Sequence, residues 1–529
     1  MYLIFDTETT GLPRNQNAPL TDFDNWPRLV QIAWQLHGPE GNLISQGNHI
    51  IRPDGFTIPF NSQKVHGIST DRALEVGKDL KEVLDIFSED VRRAEVLIGH
   101  NIEFDNKIIG AEYLRTEQEN LLEGYPNIDT GLDTKEFCDI RMGNGRLKMP
   151  RLIELYEKLF GKPFDDAHDA AYDVDATAQA FMECLRREII PTHDGTDPKS
   201  IKYEAPDLEA ANFAWAREKS GGQLTDRKVS VEEINGPFCH LHVHSQFSVL
   251  QATPNVESIV AKAKALEMPA VALTDLGNMF GAFKFVRSAL AEGIKPIVGC
   301  EFYVAEDRKR LQFTKDDPDR RFQQVLLAKN KTGYNNLIKL CSLGHMEGLY
   351  GLYPRVDKAL IEQYKEGVIA TRGGLAGEIP NLVLNVGEHQ AEEALQWWLD
   401  LFGDDFYLEI NRHGLDEENH LNEVLIGFAR KYNIKVIAAN ELFYLDEEES
   451  KAHDVLICIK ENEKQSTPIG RGRGFRPGLK NSSYYFKSEH EMKSAFTDLP
   501  EAIENIKELI DKVEEYKLER DVLLPAFEI

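Results

Sequence analysis

The chain has 529 residues, 42% of them hydrophobic and 28% charged, and a formal net charge of −27. That length and composition predict two to four globular domains, and no apolar run approaches the length of a bilayer span. So large an acidic excess repels phosphate over most of the surface. A nucleic-acid partner would have to be drawn in by metal ions, local basic loops or a more basic protein, and a small-molecule substrate is equally compatible. The N-terminus reads as neither a signal nor a transit peptide. The six cysteines are scattered without a CxxC pair, which argues against a disulfide framework or a Cys-rich zinc site and for a reducing cytoplasm.

The chain opens on MYLIFDTETTGL, an apolar strand that ends in Asp6 and Glu8. Residues i and i+2 of a strand share a face, so the two carboxylates converge on one point. Like charges that close repel unless a cation neutralises them, and hard oxygen ligands suit Mg²⁺ or Mn²⁺. Taken alone, most such pairs are two solvated acids at a strand end. A polar loop follows to Pro27, then a second strand (Leu29, Val30, Ile32, Trp34, Leu36) and a hairpin into a third. A helix is predicted over 71–87. AEVLIGHNIEFDNKIIGAEYL (94–114) reads as a strand ending at Gly99 and a helix with Asp105 in its first turn or so. Residues 152–160 are amphipathic. A helix over 168–188 carries Ala171, Val174, Ala178, Phe181 and Leu185 at helical spacing, with His168 at its lip and Asp173 inside.

From 190 to about 237 the pattern degrades into a linker with one short helical piece (208–217). The rhythm then becomes βαβαβ. HLHVHS, PAVALTD, IKPIVGCEFYV, VLLAKN, GVIATRGG, FYLEINRH and IKVIAANELFYL read as strands, with helices over 255–266, 280–292 and 417–432. That alternation predicts parallel strands in a barrel-like domain, with functional groups at strand C-termini. His240, His242 and His244 alternate, so on a strand they would share one face. Residues 499–513 resume helical periodicity.

The motifs DTETTGL (6–12), GHNIEFD (99–105) and HDAAYD (168–173) resemble the DEDDh family of 3′–5′ exonucleases, specifically the epsilon-type proofreading subunits of bacterial replicative polymerases. The likeness covers roughly 1–187 and includes VHGI (65–68). It implies a ribonuclease-H-like α/β fold in which Asp6, Glu8, Asp105 and Asp173 hold two Mg²⁺ or Mn²⁺ ions. His168 would be the general base, and Thr7, Thr9, His66 and Asn101 would be nucleotide-binding. Asp165, Asp166, Asp169 and Asp175 are read as solvated.

HLHVHSQFS and the segments after it, from about 237 to 513, resemble the PHP domain that begins bacterial DNA polymerase III alpha subunits. The likeness implies a distorted (β/α) barrel. Active members hold a metal cluster through nine positions, of which His242, His244 and Glu301 survive here. Gln251, Leu276, Gln323, Gly374, Glu441 and Phe443 replace the other six. Leu, Gly and Phe cannot ligate, so the cluster is expected to be absent and the domain a scaffold.

The expected organisation is therefore an exonuclease domain (1–187), a linker with a short helical segment (188–236), a degenerate PHP domain (237–513) and the start of a connection to a polymerase module (514–529). The resemblance implies proofreading at a DNA 3′ end, beside a polymerase module and replisome, with no membrane partner. No polymerase motif follows, so this chain is not expected to extend primers. The alternative is a free-standing DNA or RNA 3′-end nuclease with an inactive PHP interaction scaffold. QWWLDLF (396–402) matches a sliding-clamp peptide pattern, but it closes an amphipathic helix and its apolar residues read as core. IGRGRGFRPGLK (469–480) is a basic loop that could touch phosphate.

Overall fold

The computed structural model describes residues 1–142, 145–164, 170–192, 195–206, 229–314, 317–371, 374–470 and 474–519. His168 and the neighbouring Asp165, Asp166 and Asp169 lie outside them, as do the helical piece expected over 208–217 and the arginines at 471 and 473. The chain divides into two compact units, one built on the described residues up to 206 together with 385–389, and the other on the remaining described residues from 229.

The first unit is a five-stranded sheet with helices on both faces. Its strands are β1 (Tyr2–Thr9), β2 (Leu29–His37), β3 (Leu43–Ile50), β4 (Val96–Gly99) and β5 (Asn127–Asp129), ordered β3-β2-β1-β4-β5. β1 runs antiparallel to β2 and parallel to β4. Strand alternation sorts the core. Tyr2 and Ile4 pack with Val174, Ala178 and Phe181 of the helix Ala170–Arg186, while Leu3 and Phe5 pack with Val83 and Phe87 of the helix Leu80–Val91 and Ile108 and Ile109 of the helix Ile102–Arg115. Edge-on ring pairs mark the two faces: Tyr2 on Phe181 at 5.2 Å and Phe5 on Phe87 at 5.5 Å. The helix expected over 71–87 is two, Thr70–Val76 and Leu80–Val91. Between them Lys78 pairs with Ile51 in a β-bridge, and a Cβ at Gly77 would collide with the Arg52 backbone.

Both ends of the expected linker are structured. Ile190 and Ile201 are buried in the core of the first unit, and Tyr203 donates hydrogen bonds to Gln35 (3.1 Å) and to Asp175. Asp175 also accepts from Gln179 (2.7 Å), so it is a packing residue rather than a solvated acid. At the far end Ile234 enters the second core.

That second unit contains β6 (Ala270–Leu273), β7 (Lys295–Ala305), β8 (Arg321–Ala328), β9 (Leu349–Tyr350), β10 (Tyr353–Asp357), β11 (Val368–Thr371), β12 (Phe406–Asn411) and β13 (Lys435–Ala439). The main path runs β13-β12-β11-β8-β7-β10-β9, with β6 also on β7. The all-parallel expectation fails at β8, which is antiparallel to both β7 and β11. Among the described residues no helix separates β7 from β8, and a parallel return would need a crossover. HLHVHS is not a regular strand, yet it closes the barrel. Ala272 N donates to His240 O (2.8 Å) and Thr274 N to Val243 O (2.8 Å), while His244 N donates to Leu442 O (3.3 Å) beyond β13. The segment thus joins β6 to the chain after β13 and completes a distorted barrel. The helix Glu501–Lys512 packs beside β13, and Tyr516 and Leu518 lie against the same core. Among the described residues no helix is long and apolar enough to cross a membrane.

Candidate functional site

In the first unit three carboxylates meet. Single oxygens of Asp6, Glu8 and Asp173 all lie within 4.8 Å of one another, each on a half-buried side chain. Asp6 and Glu8 continue the Tyr2–Ile4 face of β1, where Ala171 and Val174 seat the first turns of the helix Ala170–Arg186. Asp173, in the first turn of that helix, is thereby carried over the strand end. A β-bulge sits beside them. Glu8 pairs with Gln31 and Thr9 with Leu29, leaving Val30 of β2 as the extra residue. Bulges of this kind re-aim side chains next to active sites.

Asp105 reaches the same strand from its other face. β4 pairs with β1 only as far as Ile4, and the chain then turns through Asn101 (φ 72°) into the helix Ile102–Arg115. The strand edge beyond Ile4 is left open on that side. There Thr7 donates its N–H (3.1 Å) and its hydroxyl (2.6 Å) to one oxygen of Asp105. The carboxylate is otherwise buried, and burial pushes its pKa up to about 7 despite the two Thr7 donors. Asp105 therefore stands one strand position from the three-carboxylate group, behind Thr7.

The corner that aims the helix is fixed by Asp129. One of its oxygens accepts from Asn101 N (3.0 Å), Gly131 N (2.9 Å) and Leu132 N (3.1 Å). The His100 ring is tied to Pro150 O (2.9 Å) and Thr130 Oγ1 (3.0 Å), so its place in the motif is structural. Of the expected nucleotide-binding residues, Thr7 is buried and committed to Asp105, and Thr9 donates its hydroxyl to Gly11 O (2.7 Å). His66 is buried, with Nδ1 accepting from Ile68 N (3.1 Å), and burial lowers its pKa to about 4. Asn101 is exposed, as are Leu12 and Val65. Thr7→Val would keep the shape at Thr7 and remove the hydroxyl bond. It should cost about 1–2 kcal/mol in denaturant melts of metal-free protein at pH 8, and an unchanged midpoint would show that Asp105 does not depend on Thr7.

The second unit holds another cluster. Ligating atoms of His242, His244, Glu301 and Glu441 lie within 4.8 Å of one another, and the first three side chains are fully buried. His242 sits between carboxylates, with Nδ1 at 3.2 Å from Glu409 and Nε2 at 3.2 Å from Glu301. His244 Nε2 is 2.7 Å from Glu301, and its Nδ1 is 3.0 Å from the Leu442 carbonyl. Burial disfavours charge on His242, but Glu301 and Glu409 outweigh it and raise its pKa well above the ordinary value. Glu301, likewise opposed by burial, is held down to about 2 by its two histidines. His240 does not join them; its Nε2 bonds to Lys487 O (2.8 Å).

Glu409 and Glu441 were not among the expected site residues. The first falls inside an apolar strand, and the second stands at a position read as a lost ligand. Several other family positions do not fit a multi-metal cluster. Leu276 is buried, Phe443 stacks on His244 at 4.6 Å, and Lys460 Nζ donates to Gln251 Oε1 (3.0 Å) where an anionic ligand is expected.

Residues 3–181 match the exonuclease family model, and residues 240–413 match the PHP domain model. The chain is 39% identical over 293 residues to the DNA polymerase III subunit alpha of Borreliella burgdorferi, which covers 55% of this chain and 25% of that one. The subunit alpha of Treponema pallidum is 38% identical over 293 residues, covering 55% and 24%. The chain thus spans about a quarter of the length of these curated relatives. A solved structure of E. coli Exonuclease I with a dA16 oligonucleotide is 20% identical at a TM-score of 0.29, covering 35% of this chain and 40% of that one. The chain thus joins a region that matches the exonuclease model to a region that matches the PHP domain model and is similar to the DNA polymerase III alpha subunits.

Proposed function

We propose that the first unit is a metal-dependent 3′–5′ exonuclease that trims DNA 3′ ends as a proofreader, within a longer replicative polymerase chain of the cytoplasm. The observation that carries this reading is the meeting of Asp6, Glu8 and Asp173, from a strand and a helix far apart in sequence, with Asp105 behind the same strand. Two Mg²⁺ or Mn²⁺ ions held by these four acids would supply an activated water and neutralise charge on the leaving oxygen. The residues divide the work. β1 fixes the spacing of Asp6 and Glu8, the helix Ala170–Arg186 sets Asp173 opposite them, and Thr7 orients Asp105. His168, outside the described residues, is assigned as the base that accepts a proton from water, a role suited to an imidazole. Exposed Leu12, Val65 and Asn101 offer surface for the terminal nucleotide.

In this reading the PHP unit is a scaffold without the family's multi-metal cluster, and partners are a DNA 3′ end, a polymerase module and the replisome. A sliding clamp would not dock through 396–402 as folded, because the motif's anchors Leu399, Leu401 and Phe402 pack against the core of the second unit. The test is release of label from matched and mismatched primer DNA with Mg²⁺, using 3′- and 5′-labelled strands. Release of 3′ label first, faster from the mismatch, is expected. Loss of 5′ label first, or preference for RNA, would replace this reading with a free-standing nuclease of another kind.

A further inference from the structure

We propose that Cys300 and Cys341 form a paired thiol site in the second unit, which a soluble disulfide oxidises to an intramolecular disulfide. The proposal is independent of the exonuclease reading and of any metal. A reversible bond of this kind differs from the disulfide framework that the scattered cysteines argue against.

The pair is made by β7 and the helix Lys331–Glu347. Neighbouring residues of a strand face opposite ways. Glu301 turns inward to His244 (2.7 Å), so Cys300 beside it turns outward, under that helix. There the Cys341 S–H donates to Cys300 Sγ at 3.7 Å, and the Cys300 S–H donates to the Asp275 carbonyl at 3.3 Å. Cys341 sits on the face of the helix that buries Leu337, Leu340 and Gly344.

Glycines at both ends hold the helix close to the strands. A Cβ at Gly333, in the first turn, would fall 1.7 Å from the Gly367 carbonyl oxygen. One at Gly348, just past the last turn, would fall 1.9 Å from that of Arg355. Side chains at either position would force the helix away from what lies beneath it. A disulfide sets its sulfurs about 2.05 Å apart. The pair must therefore close by roughly 1.7 Å, a movement no larger than rotation about the two Cα–Cβ bonds gives.

Access sets the order of events. Of the six cysteines five are buried, and Cys341 is the half-buried one. Cys341 therefore meets the reagent first. Its sulfur attacks one sulfur of the soluble disulfide, whose S–S bond breaks, and the departing thiolate takes the Cys341 proton. Cys300 then attacks the Cys341 sulfur of this mixed disulfide and releases the second small thiol, which carries off the Cys300 proton. Two electrons pass from the protein sulfurs to the reagent, which leaves as two thiols. The new bond ties β7 to the helix and closes a ring of chain that includes β8. Such a crosslink restricts the unfolded chain, so the oxidised protein should melt at a higher temperature.

The experiment incubates the folded full chain with oxidised glutathione, quenches by alkylation and maps the peptides by mass spectrometry without reduction. A crosslink between the Cys300 and Cys341 peptides is expected, at least about tenfold above any other cysteine pair. The melting temperature should rise with it and fall back when reductant is added. Cys300→Ala should stop at one glutathione on Cys341, and Cys341→Ala should take up almost none. Should either variant fail to fold, the peptide map of the unaltered chain decides, because the crosslink and its place are read there directly. Glutathione that stays on Cys341 of the unaltered chain, no reaction at all, or a crosslink elsewhere would overturn the proposal.

Discussion

Replacing Asp6 with alanine is expected to slow 3′-end hydrolysis by about a thousandfold or more, equivalent to about 4 kcal/mol of barrier, without unfolding the protein. Asp6 is half-buried at the mouth of β1, and its carboxylate shares a 4.8 Å neighbourhood with those of Glu8 and Asp173. Its removal relieves like-charge repulsion in the metal-free protein, so melting without Mg²⁺ should be unchanged or slightly raised. The control is Asp175→Asn. Asp175 is only two residues from Asp173, but it bonds Tyr203 and Gln179 and takes no part in the group. It should leave hydrolysis near the parent rate. Parent-rate cleavage by Asp6→Ala in a folded protein would remove the assignment.

The second large effect is on stability and has the opposite sign. Asp105→Asn should abolish hydrolysis yet stabilise the metal-free protein at pH 8. Burial raises the pKa of Asp105 to about 7, against an ordinary value near 4. The folded state therefore holds this proton more tightly than the unfolded chain does. Its contribution to stability is fully present below about pH 4, falls as pH rises, and is lost above about pH 7. A shift of that size corresponds to up to about 4 kcal/mol. An amide at 105 can still accept from Thr7 and carries no charge to bury. Denaturant melts in chelator should show parent and variant close together at pH 5 and the variant more stable at pH 8, with saturating Mg²⁺ narrowing the gap by stabilising the parent. Equal stability at both values would mean that Asp105 ionises without cost.

Much of the site was legible in the chain because strand and helix periodicities are local. Alternation alone puts Asp6 and Glu8 on one face, and the spacing of Ala171, Val174 and Phe181 tells which face of the last helix turns toward them. The position of Asp105 was not legible to that depth. It depends on β4 stopping opposite Ile4, which leaves the Thr7 N–H open to a side chain from the opposite face. The same limit explains the other departures. The reversal at β8 follows from a connection with no helix among its described residues, and the break at Gly77 from a bridge between Lys78 and Ile51. His240 follows the alternation of His242 and His244 in sequence, but the segment is not a regular strand and Lys487 takes its ring elsewhere.

The most direct measurement is anomalous diffraction from crystals of the chain grown with Mn²⁺. A manganese peak bounded by Asp6, Glu8 and Asp173, joined by a second toward Asp105 when a DNA 3′ end is bound, is the expected result. A map at saturating Mn²⁺ with no peak among those three carboxylates would contradict the hydrolytic role of the first unit.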